Sequence, residues 1–472
     1  MGAYKFKGTV DENKVFVVSL SEIKGRLDSS YNFYLRKGEF KSIFPLFKIS
    51  DICNSISGGT PSKENKTFWN GNIPWASPKD IKSFYLDKTI DSITELGVKN
   101  SSTKVIEPNN LIIVFRALKE GELNSSITKR SVAINQDLKA LYFKENVLPE
   151  YILILFKIFQ KQLFPLITKK GTTVYSMNTI EFESLKIPLP PLNIQNQIVT
   201  QYQKAYQEKK EKEQQAKELL ASIDTYLLNE LGIILPQKEN SLDSRMFKSV
   251  FSDVSNSRLD PDYHRLGYKM IEKSILNSKY ITDDLKNLTI VLNSGTTPSK
   301  SPYSKEVSDF PIIKVGSYSN NYIDLEKVDY CLFKQNLKVK RGDIFILSAA
   351  HQSEYVGKHI KYLNEEPNIP TSYVGELICV RANQRINSMY LFSLLNLSMY
   401  KTLINKEKTG QTSHIYGKDL KLIKIPLPSL EKQNEIAEHI TNLRTQARQL
   451  QQEAKDVLEN TKKDIEQQIL GV

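Results

Sequence analysis

The sequence is poor in cysteine and histidine, and it has no apolar run long enough to span a membrane. Three cysteines, Cys53, Cys331 and Cys379, stand far apart in 472 residues. Their odd number and wide spacing exclude a disulfide framework and fit a reducing compartment. Neither a CxxC pair nor an HExxH string occurs, so zinc-ligand spacing is missing. The five histidines, His264, His351, His359, His414 and His439, are scattered, which suits surface or hydrogen-bonded core positions better than a ligand set. The most apolar stretch, 151–159, is too short for a bilayer and contains Lys157. The opening MGAYKFKGTV lacks an apolar signal core. Gly2 fits the first position of a myristoylation motif, but Phe6 stands where Ser or Thr is required. A cytoplasmic protein with no membrane partner is expected.

Catalytic strings are missing too. The glycine turns that begin at Gly58 and Gly295 do not have the GxxxxGK[ST] spacing of a phosphate loop, and no GxGxxG follows a strand. No Asn-Pro-Pro-Tyr string is present, so the chain is not expected to transfer methyl groups to amino nitrogens itself. Pro261-Asp262 is followed by Ile271-Glu272-Lys273, which leaves a nuclease-like spacing incomplete. No metal site and no catalytic centre are expected.

What is present is positive charge. Lys and Arg number 65 against 53 Asp and Glu, a net charge of +12. A balance of this size favours a polyanionic partner, nucleic acid first. Hydrophobic residues make up 40% and charged residues 25%, the composition of a globular chain. The length fits two to four domains.

The chain also repeats itself. Arg26-Leu-Asp28 with Tyr31 is answered by Arg258-Leu-Asp260 with Tyr263. Ser57-Gly-Gly-Thr-Pro-Ser-Lys63 is answered by Ser294-Gly-Thr-Thr-Pro-Ser-Lys300, and Pro74 by Pro311. Asn110-Leu-Ile-Ile-Val114 corresponds in character to Gly342-Asp-Ile-Phe-Ile346, an apolar strand after a turn. Gly171-Thr-Thr pairs with Gly410-Gln-Thr, Lys186-Ile-Pro-Leu-Pro190 with Lys424-Ile-Pro-Leu-Pro428, and Gln195-Asn196 with Gln433-Asn434. The order is kept and the separation stays between about 232 and 239 residues, which chance does not produce. Two copies are too few for a solenoid.

Each copy has three parts. The body alternates short Val, Ile, Tyr and Phe runs with Gly, Pro, Asn and Ser, the pattern of strands and turns, and carries short helices near 149–159 and 386–397. The Ile-Pro-Leu-Pro segment is extended, because each proline fixes its own φ and moves the preceding residue out of the helical region. A long helix follows. In the second copy Ile436, Ile440, Leu443, Ala447, Leu450, Ala454 and Val457 recur at spacings of four and three, a coiled-coil seam that Ile465 and Ile469 extend. In the first, Ile194 and Ile198 start an apolar face, the stretch 209–215 is polar, and Ala216, Leu220, Ile223, Leu227 and Leu231 resume it. Gly232 and Gly471 lie where a helix C-terminus favours glycine. So narrow a stripe, with charge on the other faces, needs a partner. The economical one is the other helix of the same chain, paired antiparallel, with packing of each helix on its own body as the alternative. The expected fold is α+β, with two recognition domains in tandem, each followed by a long helix, the helices forming an antiparallel coiled coil. The expected divisions are 1–190, 191–234, 235–428 and 429–472. A helix of about 40 residues is roughly 60 Å long, and in a DNA reader that length would hold two half-sites at most roughly 17 base pairs apart.

The order of a GGTPS turn, Trp69-Asn-Gly-Asn-Ile-Pro-Trp75, Lys79-Asp80-Ile81, a Gly-Thr-Thr loop and the string IPLPPLNIQNQIV before a polar helix resembles the DNA specificity (S) subunits of type I restriction–modification systems. The resemblance covers nearly the whole chain, most specifically in the proline segment and Gln-Asn, which occur twice. It implies a non-catalytic subunit whose two target recognition domains read the halves of a bipartite site on double-stranded DNA. It also implies that the helices set the gap and dock two methyltransferase (M) subunits, with restriction (R) subunits as further partners. S-adenosylmethionine, and ATP for restriction, would then bind those partners and not this chain. Two departures stand out. The segment 15–35 is a full counterpart of 246–266, and the second body replaces the Trp-containing stretch with Phe310-Pro-Ile-Ile-Lys314.

Phosphate contacts call for Lys, Arg and exposed hydroxyls or amides, and base contacts for side chains that reach groove edges. The loop residues that meet this are Lys63, Lys66, Lys79, Arg116, Lys119, Lys169, Lys170, Thr172, Thr173 and Tyr175 in the first body. In the second they are Lys300, Lys305, Lys314, His351, Gln352, Gln411, Thr412, His414 and Tyr416. A lone lysine is equally what a solvated surface carries. The two glycine loops are the stronger candidates, since they repeat, are polar and directly precede the proline segment, whereas Pro and Gly in the Gly-Thr-Pro-Ser turns also suit a purely structural bend. A free-standing bipartite DNA binder and a coiled-coil scaffold remain open as other readings.

Overall fold

The computed structural model describes residues 26–36, 40–236, 261–297, 310–331, 338–409 and 413–471, with isolated positions at 18, 21, 23 and 258. The chain divides into two compact units, one of Met1–Glu213 with Gln452–Val472 and one of Gln214–Gln451. Each long helix therefore contributes to both.

In the first unit a five-stranded sheet runs in the order Cys53–Ser57, Leu138–Phe143, Leu111–Val114, Ser125–Thr128, Tyr85–Leu86. All neighbours are antiparallel except the last pair. A four-stranded sheet adds Asp91–Ile93, Trp69–Ala76, Val132–Ile134 and Lys104–Ile106. The second unit repeats the plan. Its larger sheet runs Thr289–Ser294, Leu377–Ala382, Ile344–Leu347, Ile360–Tyr362, Tyr322–Ile323, Tyr318–Ser319, and its smaller one Asp329–Tyr330, Pro311–Ile313, Ser372–Tyr373. The replaced tryptophan stretch keeps its place. Pro74 faces Ser92 antiparallel while Trp75 faces Ala133 parallel, and in the second unit Pro311 faces Tyr330 antiparallel while Ile312 faces Ser372 parallel.

The central strands Leu111–Val114 and Ile344–Leu347 are buried at every position, as strands covered on both faces must be. Helices Pro149–Ile158 and Gln160–Ile167 share the first core, and Ser388–Asn396 and Ser398–Lys406 the second. The proline segments form two-stranded ladders, Lys186–Pro188 with Leu46–Lys48 and Lys424–Pro426 with Thr282–Asp284.

The long helices span Leu192–Leu231 and Leu430–Leu470. Both end at a glycine with positive φ, 64° at Gly232 and 75° at Gly471, the left-handed step that closes a helix. They pair antiparallel. Within the first unit Gln201 meets Gln468 and Lys212 meets Glu453 at 2.8 Å. Within the second Glu230 meets Lys432 at 2.8 Å and the Tyr226 ring lies 4.2 Å from that of His439. The choice between a partner helix and a body as the packing surface is resolved as both. Ile198, Tyr202, Ala205, Leu458, Ile465 and Ile469 belong to the first body's core, and Ile223, Leu227, Leu231, Ile436, Ala437 and Ile440 to the second's. Toward the middle of the helices the buried residues are Ala216, Ala447 and Ala454, with Arg444 between Ile440 and Ala447.

Candidate nucleic-acid interface

One end of the five-stranded sheet collects the loops of the first unit. Register places Ser57 opposite Lys139 and Val114 opposite Leu138, so the chain leaves and enters the sheet there through loops 58–68, 115–124 and 135–137. The first loop is a glycine turn for a steric reason. A Cβ on Gly58 would lie 1.9 Å from the Ile134 carbonyl oxygen, and one on Gly59 2.0 Å from the Ser102 hydroxyl. Trp75 Nε1 donates to the Gly59 carbonyl and Trp69 Nε1 to the Ser62 carbonyl, which fixes the turn from outside. Thr60 Oγ1 donates to Gln136 Oε1 at 2.5 Å and so ties two loops together.

The hairpin Thr168–Lys170 with Tyr175–Met177 joins the same end. Leu118 and Tyr175 exchange both main-chain hydrogen bonds, each 3.0 Å. Gly171 N–H closes the tip on the Val174 carbonyl at 2.8 Å. Arg116, Lys119, Lys169, Lys170, Thr172 and Thr173 are thereby exposed on one loop cluster, with Lys63 and Lys66 exposed on the adjoining loop. Tyr175 is half-buried against Phe164, and the Lys170 ammonium lies 5.7 Å from its ring. Ala117, beside Arg116, takes a φ of 61°, a left-handed backbone that alanine adopts only under constraint.

The described residues of the second unit build a corresponding cluster. Ile415 N–H donates to the Ser348 carbonyl, Ser348 N–H to the Glu376 carbonyl, and His414 bridges both Ala349 and Thr409. Thr297 Oγ1 donates to Glu376 Oε2 at 2.9 Å, the counterpart of the Thr60–Gln136 tie. Gly295 is again obligatory, since a Cβ there would lie 2.2 Å from the Tyr373 carbonyl oxygen. His351 and Gln352 are exposed on one loop, and His414 stacks on the exposed Tyr416 at 6.4 Å on the other. Burial first, and then the nearby Lys358 charge, lower the Lys408 ammonium from the ordinary lysine value.

Other candidates stand elsewhere. Lys79 pairs with Asp91 at 2.7 Å and Lys314 with Asp329 at 2.9 Å. Lys300, Lys305, Gln411 and Thr412 lie outside the described residues. The linking residues Thr60, Gln136, Thr297 and Glu376 escaped sequence reasoning. The threonines sit inside the repeated Gly-x-Thr-Pro-Ser string and could have been found there, whereas Gln136 and Glu376 carry no sequence signal.

The cluster offers donors, cations and flat rings, and among the described residues its parts do not compose an acid–base–nucleophile set. Burial pushes the Cys53 thiol up to about 11 and Cys379 well above its ordinary value, so neither is a ready thiolate. Among the described residues no group of His, Cys, Asp and Glu could hold a metal ion, and no helix is long and apolar enough to cross a membrane.

The model of a family described as the type I restriction modification DNA specificity domain matches residues 44–221 and again 279–460. A specificity subunit of a type I restriction enzyme from Escherichia coli is 39% identical over 153 residues, which is 32% of this chain and 38% of that one. A specificity subunit from Methanocaldococcus jannaschii is 28% identical over 166 residues and is likewise covered over 38% of its length. Another from the same organism is 23% identical over 432 residues, 89% of this chain and 90% of its own. A solved chain from work on complex assembly of the type I R-M system shares the fold, with a TM-score of 0.54 at 16% identity over 91% of this chain and 96% of that one.

Proposed function

The chain belongs to the type I restriction–modification DNA specificity family, and on that premise we propose that it is the non-catalytic sequence reader of such a complex. Each unit reads one half of a bipartite site on double-stranded DNA through its loop-and-hairpin cluster. The paired helices serve as the docking element for two adenine-N6 methyltransferase subunits and, where cleavage occurs, for restriction subunits. S-adenosylmethionine and ATP belong to those partners.

The observation that carries this reading is the duplicated cluster. In both units loops at one end of the larger sheet are tied together through a threonine of the repeated Gly-x-Thr-Pro-Ser string, with exposed Lys63, Lys66, Arg116, Lys119, Lys169, Lys170, Thr172 and Thr173 in the first and exposed His351, Gln352, Lys358 and Tyr416 in the second. Cations on such loops bind phosphates and set register, while amides, hydroxyls and imidazoles reach base edges. A net charge of +12 suits the same partner.

The test is to co-express the chain with the methyltransferase encoded beside it, in a host lacking other methylation, and to map N6-methyladenine by long-read sequencing. The expected outcome is a bipartite motif that disappears when this chain is omitted. An unchanged methylome with both proteins soluble would overturn the reading in favour of a free-standing DNA binder or a scaffold.

A further inference from the structure

One repeated string plays no part in the loop clusters: the Arg-Leu-Asp followed by Tyr that precedes each body. In the first unit Arg26 Nη2 donates to the main-chain carbonyl of Thr168 at 2.7 Å. Thr168 is the first residue of the hairpin and pairs with Met177. The arginine is built into place. Its side chain is 12% exposed, it pairs with Asp28 at 2.8 Å, and its guanidinium lies 4.2 Å from the centre of the Tyr31 ring. Asp28 in turn accepts from Tyr31 N–H, and Asn32 Nδ2 donates to the Arg26 and Asp28 carbonyls, each at 2.9 Å.

The second unit repeats the contact 232 residues later. Arg258 Nη1 donates to the carbonyl of Lys406 at 3.4 Å, and its guanidinium lies 4.9 Å from the Tyr263 ring. Lys406, whose ammonium lies 4.5 Å from the same ring, ends the helix three residues before Thr409, which pairs with His414. Both arginines thus hold a main-chain carbonyl at the root of the hairpin or loop proposed to read bases.

A two-stranded hairpin is marginal in water without further support, and the first one pairs as a two-stranded sheet of its own. A charge-assisted hydrogen bond from a held guanidinium supplies that support. We propose that Arg26 and Arg258 are positioning residues for sequence recognition, each fixing the root of one reading element without touching DNA. This rests on the reading of the clusters given above.

The experiment uses the full chain co-purified with its methyltransferase and carrying Arg26→Ala, Arg26→Lys or Arg258→Ala. Affinity is measured on the cognate duplex, on duplexes with one half-site scrambled, and on random DNA, alongside hydrogen exchange at 169–176. Arg26→Ala is expected to lower discrimination of one half-site about tenfold, the order of one charge-assisted hydrogen bond. Discrimination of the other half-site and affinity for random DNA stay unchanged, and hairpin protection falls. Arg26→Lys, which keeps a cation, restores part of the loss, and Arg258→Ala affects the opposite half-site. Unchanged discrimination and protection in Arg26→Ala, or equal loss at both half-sites with a lowered melting temperature, would overturn the proposal. If Arg26→Ala does not fold, Arg26→Lys and Tyr31→Leu make the same comparison. A wild-type complex without any half-site preference would instead defeat the functional reading, and hairpin exchange alone would then decide the role of Arg26.

Discussion

Gln195 and Gln433 hold equivalent points in the first turn of the two long helices, and both are fully buried. Each side-chain amide is saturated. Gln195 Oε1 accepts from Leu148 N–H at 2.9 Å while Nε2 donates to the Asn146 and Pro190 carbonyls; Gln433 does the same with Asn387 N–H, Arg385 and Pro428. Removing the amide strands buried backbone groups, each at about 1–3 kcal/mol. Gln195→Ala is therefore expected to lower unfolding free energy by about 2 kcal/mol or more in a denaturant titration, and a loss under about 0.5 kcal/mol would contradict it. The repeat made these glutamines visible in the sequence, but not their task, because two of the three groups each one holds lie nearly fifty positions upstream. Lys79 and Lys314 show the opposite. They read as free cations until folding brings Asp91 and Asp329 alongside.

Glu407 gives a pH dependence at the same scale. Burial, outweighing the opposing Lys406 charge and joined by Asp419, lifts its carboxyl from 4.5 to about 7, with Arg258 and a Tyr263 hydrogen bond working against the rise. The folded state therefore holds this proton more tightly than the unfolded state does. The stabilisation is complete below the ordinary carboxylate value and is lost as pH rises through about 7. Glu407→Gln, which keeps the neutral shape, should flatten this part of the profile. The check is to measure melting temperature for both chains across that window. Parallel curves would show that the carboxyl does not titrate there.

At the scale of elements, legibility followed length and period. The long helices and their glycine ends could be read because the apolar spacing persists over many turns. The smaller sheets could not, since strands such as Asp329–Tyr330 and Ser372–Tyr373 are two residues long and owe their existence to neighbours distant in sequence. The helix Gln160–Ile167, with Pro165 inside it, was also beyond sequence reading. The Gly-Thr-Pro-Ser turns proved necessary at their glycines. Gly58→Ala sets a methyl 1.9 Å from a carbonyl oxygen, and an overpacking cost of about 1–3 kcal/mol is expected. The hairpin makes a different prediction, about binding. Lys169 and Lys170 are exposed cations at its root. Replacing both with Ala should lower the slope of log affinity against log salt by about 2 and weaken cognate and random duplexes alike. An unchanged slope would remove them from the phosphate contacts.

For the whole molecule, duplication makes the strongest demand. Each reading cluster is assembled from residues of a single unit, on its own sheet and its own core. If each cluster reads one half-site, specificity should be separable. A chain with Thr172→Ala and Thr173→Ala changes hydroxyls only at the tip of the first hairpin, so its methylome should relax at one half of the bipartite motif and keep the other. His414→Ala, on the second cluster, should relax the opposite half. If these side chains contact bases as proposed, and a good bidentate contact is worth about 1–3 kcal/mol of discrimination, losing even part of that should make single positions degenerate in a methylation map. Loss of both halves together in either variant would mean that the two clusters act as one reader, and the assignment of one half-site to each unit would fall.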